Sequence, residues 1–307
     1  VSNLAFGMRT SPAVSELSVR LADGTVDTCR VGLESQQVSV KSVLLDRGAY
    51  SYLTGPAEAE NEAPAKTAEP SAPWTVRVGS VALTGNSVEY GRPGHRPATG
   101  FDPAFISLAP LDLTIDSVYN RGADIALQIR RMAFTERCGL SVRDLTGRVG
   151  MDASGIVLSG FDLQTAFSRI RAELSAGAGI LKLEPSSPLD AALSADLNTK
   201  DLKYLSPEAV PPVLDDRIVR LTFSATGTLG DIEKTQLEIS SPGHLGLKAD
   251  AAAKNLLDTE RMEASARFEG DFRDLSFLKA LLPDTALRRR VTIPALIRLR
   301  GSAGADR

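Results

Sequence analysis

Few residues in this chain could do polar chemistry. His95 lies in GRPGHRP and His244 in SSPGHLG. An imidazole can act as a general base or bind a metal, but either role needs partner side chains at ligand spacing. Neither histidine has such partners close by in sequence, so both read as exposed histidines of Pro/Gly turns. Asp215 and Asp216 precede a strand pattern and read as a turn, although folding can bring carboxylates together. Gly177-Ala178-Gly179 begins like a dinucleotide loop, but Lys182 stands where the third glycine belongs, which leaves a flexible turn. No G-x-S-x-G elbow and no Walker A loop occurs. No catalytic residue, cofactor site or metal site is expected.

Cys29 and Cys138 are the two cysteines, and they either form one disulfide or remain free as small hydrophobes. With 35 basic and 38 acidic residues the formal charge is -3, which gives no case for a nucleic-acid partner. The most basic run, Leu287 to Arg300, is either a contact for an acidic partner or lipid headgroup, or a set of charges guarding a strand edge. The second reading is the simpler one.

The apolar residues must therefore explain the chain. Between Cys138 and Leu174 they alternate with polar ones, but the alternation slips between Val142 and Leu145, between Ala153 and Ile156, and between Leu158 and Phe161. Slips of this kind mark turns or bulges that bend a sheet. Further on, Leu189, Ala191, Leu193, Ala195 and Leu197 alternate strictly, as do Val219, Leu221, Phe223 and Ala225. Such a pattern makes one strand face dry and one wet, the signature of antiparallel sheet. Some fifteen to twenty strands are expected from the turn spacing of about 8–12 residues.

Two internal echoes stand out. Val38 to Tyr52 (VSVKSVLLDRGAYSY) matches Val76 to Tyr90 (VRVGSVALTGNSVEY) at Val38/Val76, Val40/Val78, Ser42/Ser80, Val43/Val81, Leu45/Leu83 and Tyr52/Tyr90. We read each half as a hairpin, repeated once. A strand followed by a short helix also occurs twice, at Leu189 to Pro207 and Met262 to Pro283. Helix is expected at Asp201 to Leu205 and Leu275 to Leu282, with Ser11 to Val14 and Asp102 to Ser107 as further short candidates. Gly55 to Pro73 is rich in Ala, Glu and Pro and reads as a flexible loop.

The stretch FTERCGLSVRDLTGRVGMDASGIVLSGFDLQTAFSRIRAEL resembles a recurrent block of TamB-like translocation and assembly module proteins, in the AsmA-like superfamily, of Bacteroidetes type. Phe134, Glu136, Gly139 and Leu140 fit its opening. Leu163, Thr165, Ser168 and Ile170 fit its close, with Phe161 in place of the first Leu. The flanks from Trp74 onward share the character of the family. The resemblance implies the periplasmic portion of an inner-membrane-anchored envelope protein, its sheet curled into an apolar trough. It further implies phospholipid acyl chains as cargo between inner and outer membranes, and an outer-membrane barrel protein of the parent assembly as a partner. The alternative is a scaffold or chaperone-like module for outer-membrane protein assembly.

The fold expected is thus all-β: a long antiparallel meander curled into an open, β-taco-like trough, with a few short helices. Its segments run 1–54, 55–73 (the loop), 74–200 and 201–307, as one continuous curled sheet. Since the chain opens at Val1 without Met, inside a strand-like pattern, an internal piece of a longer protein is expected. Val149, Met151, Leu163, Leu189, Leu193, Leu197, Val219, Leu221 and Phe223 are the candidate lining of the apolar groove.

Overall fold

The computed structural model describes residues 1–9, 15–54, 73–92, 94–207, 216–258, 260–273 and 296–306. Residues 10–14, 55–72, 93, 208–215, 259, 274–295 and 307 fall outside that set. With them go the Ser11 to Val14 and Leu275 to Leu282 helices, nearly all of the Ala/Glu/Pro loop, Asp215, and the first part of the basic run.

Two compact units divide the chain, Val1–Gly150 and Met151–Arg307. The first holds β1 (Ser2–Arg9), β2 (Ser15–Gly32), β3 (Gln37–Thr54), β4 (Thr75–Gly91), β5 (Ile106–Arg121), β6 (Asp124–Glu136) and most of β7 (Ser141–Asp152). The second holds β8 (Gly155–Thr165), β9 (Arg169–Gly177), β10 (Pro188–Asn198), β11 (Ile218–Thr228), β12 (Ile232–Ser241), β13 (Leu245–Lys254), β14 (Glu263–Arg273) and β15 (Leu296–Asp306). Among the described residues there is one α-helix, α1 (Thr199–Leu205), and one 3₁₀ turn at Ala178–Lys182. The strands are hydrogen-bonded in chain order, β1 to β15, and the sheet is open. The expected all-β, open-sheet class is the class observed.

One pairing departs from a meander. β3 and β4 run parallel, in a register that sets Val38 beside Val76, Val40 beside Val78, Ser42 beside Ser80, Leu45 beside Leu83 and Tyr52 beside Tyr90. These are the matched positions of the sequence echo. The repeat is therefore two parallel strands of 18 and 17 residues lying in register, and not two hairpins. A parallel pair needs a crossover connection of a dozen or more residues, and residues 55–74 between β3 and β4 supply that length.

The glycines read as turns inside each echo are mid-strand kinks. In β2–β3 pairing Ala22 and Arg47 are skipped, and in β3–β4 pairing Arg47 and Gly48 are skipped opposite Gly85 and Asn86. A second line runs through Thr28, Lys41, Gly79 and Ser117, each skipped between regular pairs on β2 to β5. Thr28, Arg47, Gly85 and Ser117 have φ of 48°, 51°, 60° and 56°. A left-handed residue inside a strand bends it and turns the following side chains to the other parity. Because neighbouring strands kink together, the slips cancel across the sheet. Val38 and Val40, then Val43 and Leu45, then Tyr50 and Tyr52 all stay on one face.

Asn86 holds the first kink line. It is 1% exposed. Its Oδ1 accepts the Gly48 N–H at 2.8 Å, and its Nδ2 donates to the Leu45 and Thr84 carbonyls at 3.0 Å each. One side chain thus satisfies backbone groups that the kink removes from the ladder.

Apolar burial is sparse. Among the described residues only Leu21, Leu111, Val142, Ala176, Ala195 and Ala225 are buried hydrophobics. A two-layer fold of this length would bury far more, and among the described residues of each unit no second layer packs on the apolar face.

Asp102 to Ser107 is a turn followed by β5, and not a helix. The Asp102 carboxylate accepts the Ala98 and Ala104 amides at 2.9 Å each, which closes a turn and competes with helix. Cys29 and Cys138 are both free.

Candidate functional site

The polar candidates resolve into fasteners. His95 is not without partners: its Nε2 lies 2.7 Å from Asp102, seven residues on. That carboxyl is held at about 2, well below the ordinary range, first by the His95 hydrogen bond and then by the Ala98 and Ala104 amides. Arg137 donates to the Ala98 and Gly100 carbonyls at 3.0 Å each, which ties the connection between β4 and β5 to the turn after β6. His244 sits half-buried in the β12–β13 turn against the Arg217 guanidinium. Gly177 to Gly179 leads into the 3₁₀ turn. Among the described residues no group of three or more His, Cys, Asp or Glu side chains could hold a metal ion.

The polar marks of the family-like block are fasteners as well. Glu136 is buried, accepts the Cys138 N–H at 2.6 Å and the Ser107 N–H at 3.4 Å, and sends its own N–H to the Leu140 carbonyl at 2.9 Å. Gly139, with φ 97°, makes that β6–β7 turn possible. At the next hairpin the Thr165 hydroxyl accepts the Ser168 N–H at 2.8 Å and donates to Asp201 at 2.5 Å.

What remains is an apolar surface. In the second unit the registers align side chains into rows that cross every strand from β8 to β15. One row is Leu163, Ile170, Ala195, Leu221, Ile239, Leu247, Gly270, Leu299. The next is Phe161, Ala172, Leu193, Phe223, Leu237, Ala249, Phe268, Gly301. A third is Leu158, Leu174, Ala191, Ala225, Thr235, Ala251, Ala266, Ala303. Directly paired residues share a face, so these rows form one apolar field. At ~4.8 Å per strand each row spans about 34 Å. Thr235 is the single polar side chain in the three rows.

Seven of the nine proposed lining residues meet here. Leu193 pairs with Phe223 and Leu197 with Val219, while Leu189 lies opposite Gly227, Leu221 opposite Ala195 and Leu163 opposite Ile170. Val149 and Met151 lie two apart on β7, both half-buried, and so on one side of that strand. Val149 belongs to the first unit and Met151 to the second.

The opposite face of the second unit is ionic. Asp196 pairs with Arg220 at 3.2 Å, Glu238 with Lys248 at 3.3 Å and Asp271 with Arg298 at 3.1 Å, each directly across a strand pair. The shallow clefts of β11–β15 are lined by charged, small polar and alanine residues in mixture. One of about 510 Å³ is bounded by Lys234, Asp250, Arg267 and Ser302. Ala251, Ala266 and Ala303 line it as well, so it is a shallow gap of mixed character. Arg298, from the basic run, is thus part of a cross-strand pair between β14 and β15.

The apolar field is half-exposed and not sealed. Phe268 and Leu299 are exposed, as are Tyr204 and Leu205 of α1. A helix acting as a plug would bury such side chains, so α1, packed at the end of β10, leaves the field open. The first unit repeats the design: Val26, Val43, Val81, Ile115, Ile129 form one row, and Leu45, Leu83, Leu113, Met132 another.

Comparison with known proteins finds no matching family model, no similar curated protein and no similar solved structure. No helix among the described residues is long and apolar enough to cross a membrane.

The sequence signals missed were the kink fastener Asn86 and the clasp between His95 and Asp102. Asn86 follows the Gly85 of a Gly-Asn pair, a left-handed signal that we placed in a hairpin turn. Asp102 lies seven residues from His95, too far for a ligand-spacing search and close enough for a loop.

Proposed function

We propose that this chain is a non-enzymatic segment of a cell-envelope protein of the TamB-like kind, and that its apolar sheet face carries phospholipid acyl chains between inner and outer membranes. The single observation behind this reading is the field of rows from β8 to β15, apolar and half-exposed, backed by an opposite face of charged and polar side chains.

The energetics suit a conduit. Moving ten methylenes out of water is worth about 8 kcal/mol, so a lipid out of the bilayer has strong reason to lie on such a face. Moving the same methylenes from bilayer to an aliphatic lining exchanges one hydrocarbon environment for another and costs little. A lining of Leu, Ile, Val and Ala, with few hydrogen-bonding groups, gives a lipid no site at which to become trapped. Each row is also about as long as the hydrocarbon core of a bilayer, ~30 Å.

The test is chemical. The protein is purified without detergent, extracted with organic solvent, and the extract analysed by mass spectrometry. Phospholipid in roughly stoichiometric amount is expected. Bound polypeptide with no lipid would replace this reading with that of an assembly scaffold.

A further inference from the structure

We propose that one end of the first unit's apolar face is a headgroup subsite, where Arg92 and Arg96 receive the phosphate of an anionic phospholipid whose chains lie on the face behind them. This rests on the lipid-carrying reading above and names the part of the lipid recognised there.

The face ends in the row Met8, Leu17, Tyr52, Tyr90, Ile106. The two tyrosine rings stack at 6.2 Å with 29° between planes, and they are 43% and 42% exposed. Tyrosine has an apolar body and a polar tip, and it collects where an apolar region meets water. Behind this row lie only apolar side chains of Phe6, Val19, Val88 and Leu108, with the Tyr50 ring. The pair therefore marks a boundary between apolar surface and solvent.

Immediately beyond Tyr90 the chain leaves β4 and presents Arg92 and Arg96, both exposed. No described carboxylate pairs with either. Two acidic groups of the described residues nearby are already committed: Asp102 to His95 and the Ala98 and Ala104 amides, and Glu136 to the Ser107 and Cys138 amides. Glu89, paired beside Ser51, belongs to the other face of β4. Arg137 is spent on two carbonyls, which fixes the connection carrying Arg96. Among the described residues, Arg92 and Arg96 are thus exposed positive charges with no carboxylate paired to them, just past the wet end of an apolar face. At the other end Arg121 stands opposite Asp124 in register. Guanidinium groups bind phosphate oxygens in a bidentate manner, which suits them to a phosphodiester.

The full chain is offered dioleoylphosphatidylglycerol and dioleoylglycerol, which share their acyl chains and differ in the phosphate headgroup, and bound lipid is counted by native mass spectrometry. The wild type is expected to prefer the phospholipid by about tenfold or more, as two arginines near an anionic headgroup imply. In an Arg92→Gln/Arg96→Gln variant that preference should fall to near unity, with dioleoylglycerol binding and circular dichroism unchanged. Lipid bound with an unaltered preference in the variant overturns the subsite and leaves the lipid-carrying reading standing. Neither lipid bound by the wild type overturns both. Sedimentation with phosphatidylglycerol vesicles separates a membrane-surface role: loss of vesicle binding alone, with single-lipid preference intact, also overturns the subsite.

Discussion

Asn86 shows how much a single residue can decide in a one-layer sheet. Its amide occupies the gap left where two long strands kink side by side, and all three of its hydrogen bonds go to backbone. Asn86→Ala leaves the Gly48 amide and two carbonyls short of partners in a buried place, and should cost about 2–4 kcal/mol of stability in urea unfolding. Asn120→Ala, whose amide contacts are partly solvated, should cost well under half of that. Asp102 makes a second residue-scale case. Its folded pKa is depressed to about 2, below the unfolded value of 3.8. Its contribution is therefore complete above about 3.8 and is lost as pH falls towards 2. Hydrogen exchange at the Ala98 and Ala104 amides, corrected for intrinsic rate, should accelerate between pH 4 and pH 2. Asp102→Asn should already be fast at pH 4. An exchange rate indifferent to both changes would contradict the clasp.

At the scale of elements, the parallel pairing of β3 with β4 is where reading the sequence and seeing the structure differ most usefully. The match between Val38–Tyr52 and Val76–Tyr90 was legible, and its spacing was right to the residue. Its meaning was not, because two similar strands can be copies of a hairpin or neighbours in one ladder, and similarity alone does not choose. The glycines then misled, since a left-handed residue serves equally in a turn and in a kink. The same ambiguity covers the slips in the family-like block. The slip at Leu158/Phe161 is a kink at Gly160, φ 60°, whereas the one at Ala153/Ile156 is a turn. The arrangement makes a clear prediction. In a Cys29→Ser/Cys138→Ser background, Ser42→Cys with Ser80→Cys should form a disulfide readily, because register partners on adjacent strands fall within the ~4.4–6.8 Å that a disulfide needs. Ser42→Cys with Ser87→Cys should not. The reverse outcome would mean that β3 and β4 are not in parallel register.

On the scale of the whole molecule, the all-β class and most of the apolar field followed from period-two alternation, whereas the open trough was expected from the family resemblance and not from the alternation. Leu189, Leu193, Leu197, Val219, Leu221 and Phe223 were found by parity, and the structure sets them side by side on β10 and β11. Parity could not say what stands over them, because that depends on contacts between distant parts of the chain. The registers supply the missing part: the rows run unbroken through β12 to β15, where the sequence is rich in Ala and the hydrophobic signal weakens. Order among the described residues is thus placed in kinks, turns and clasps, while the apolar face stays half-exposed.

The claim that this face carries lipid is tested most directly by a residue-by-residue photo-crosslinking scan of β10 and β11 in cells. Leu193, Ala195, Leu221 and Phe223 should label phospholipid, while Ser194, Asp196, Thr222 and Ser224, one position away on the ionic face, should not. Lipid labelling that alternates with period two supports the account. Equal labelling of both sets, or labelling of protein alone from the apolar set, contradicts it.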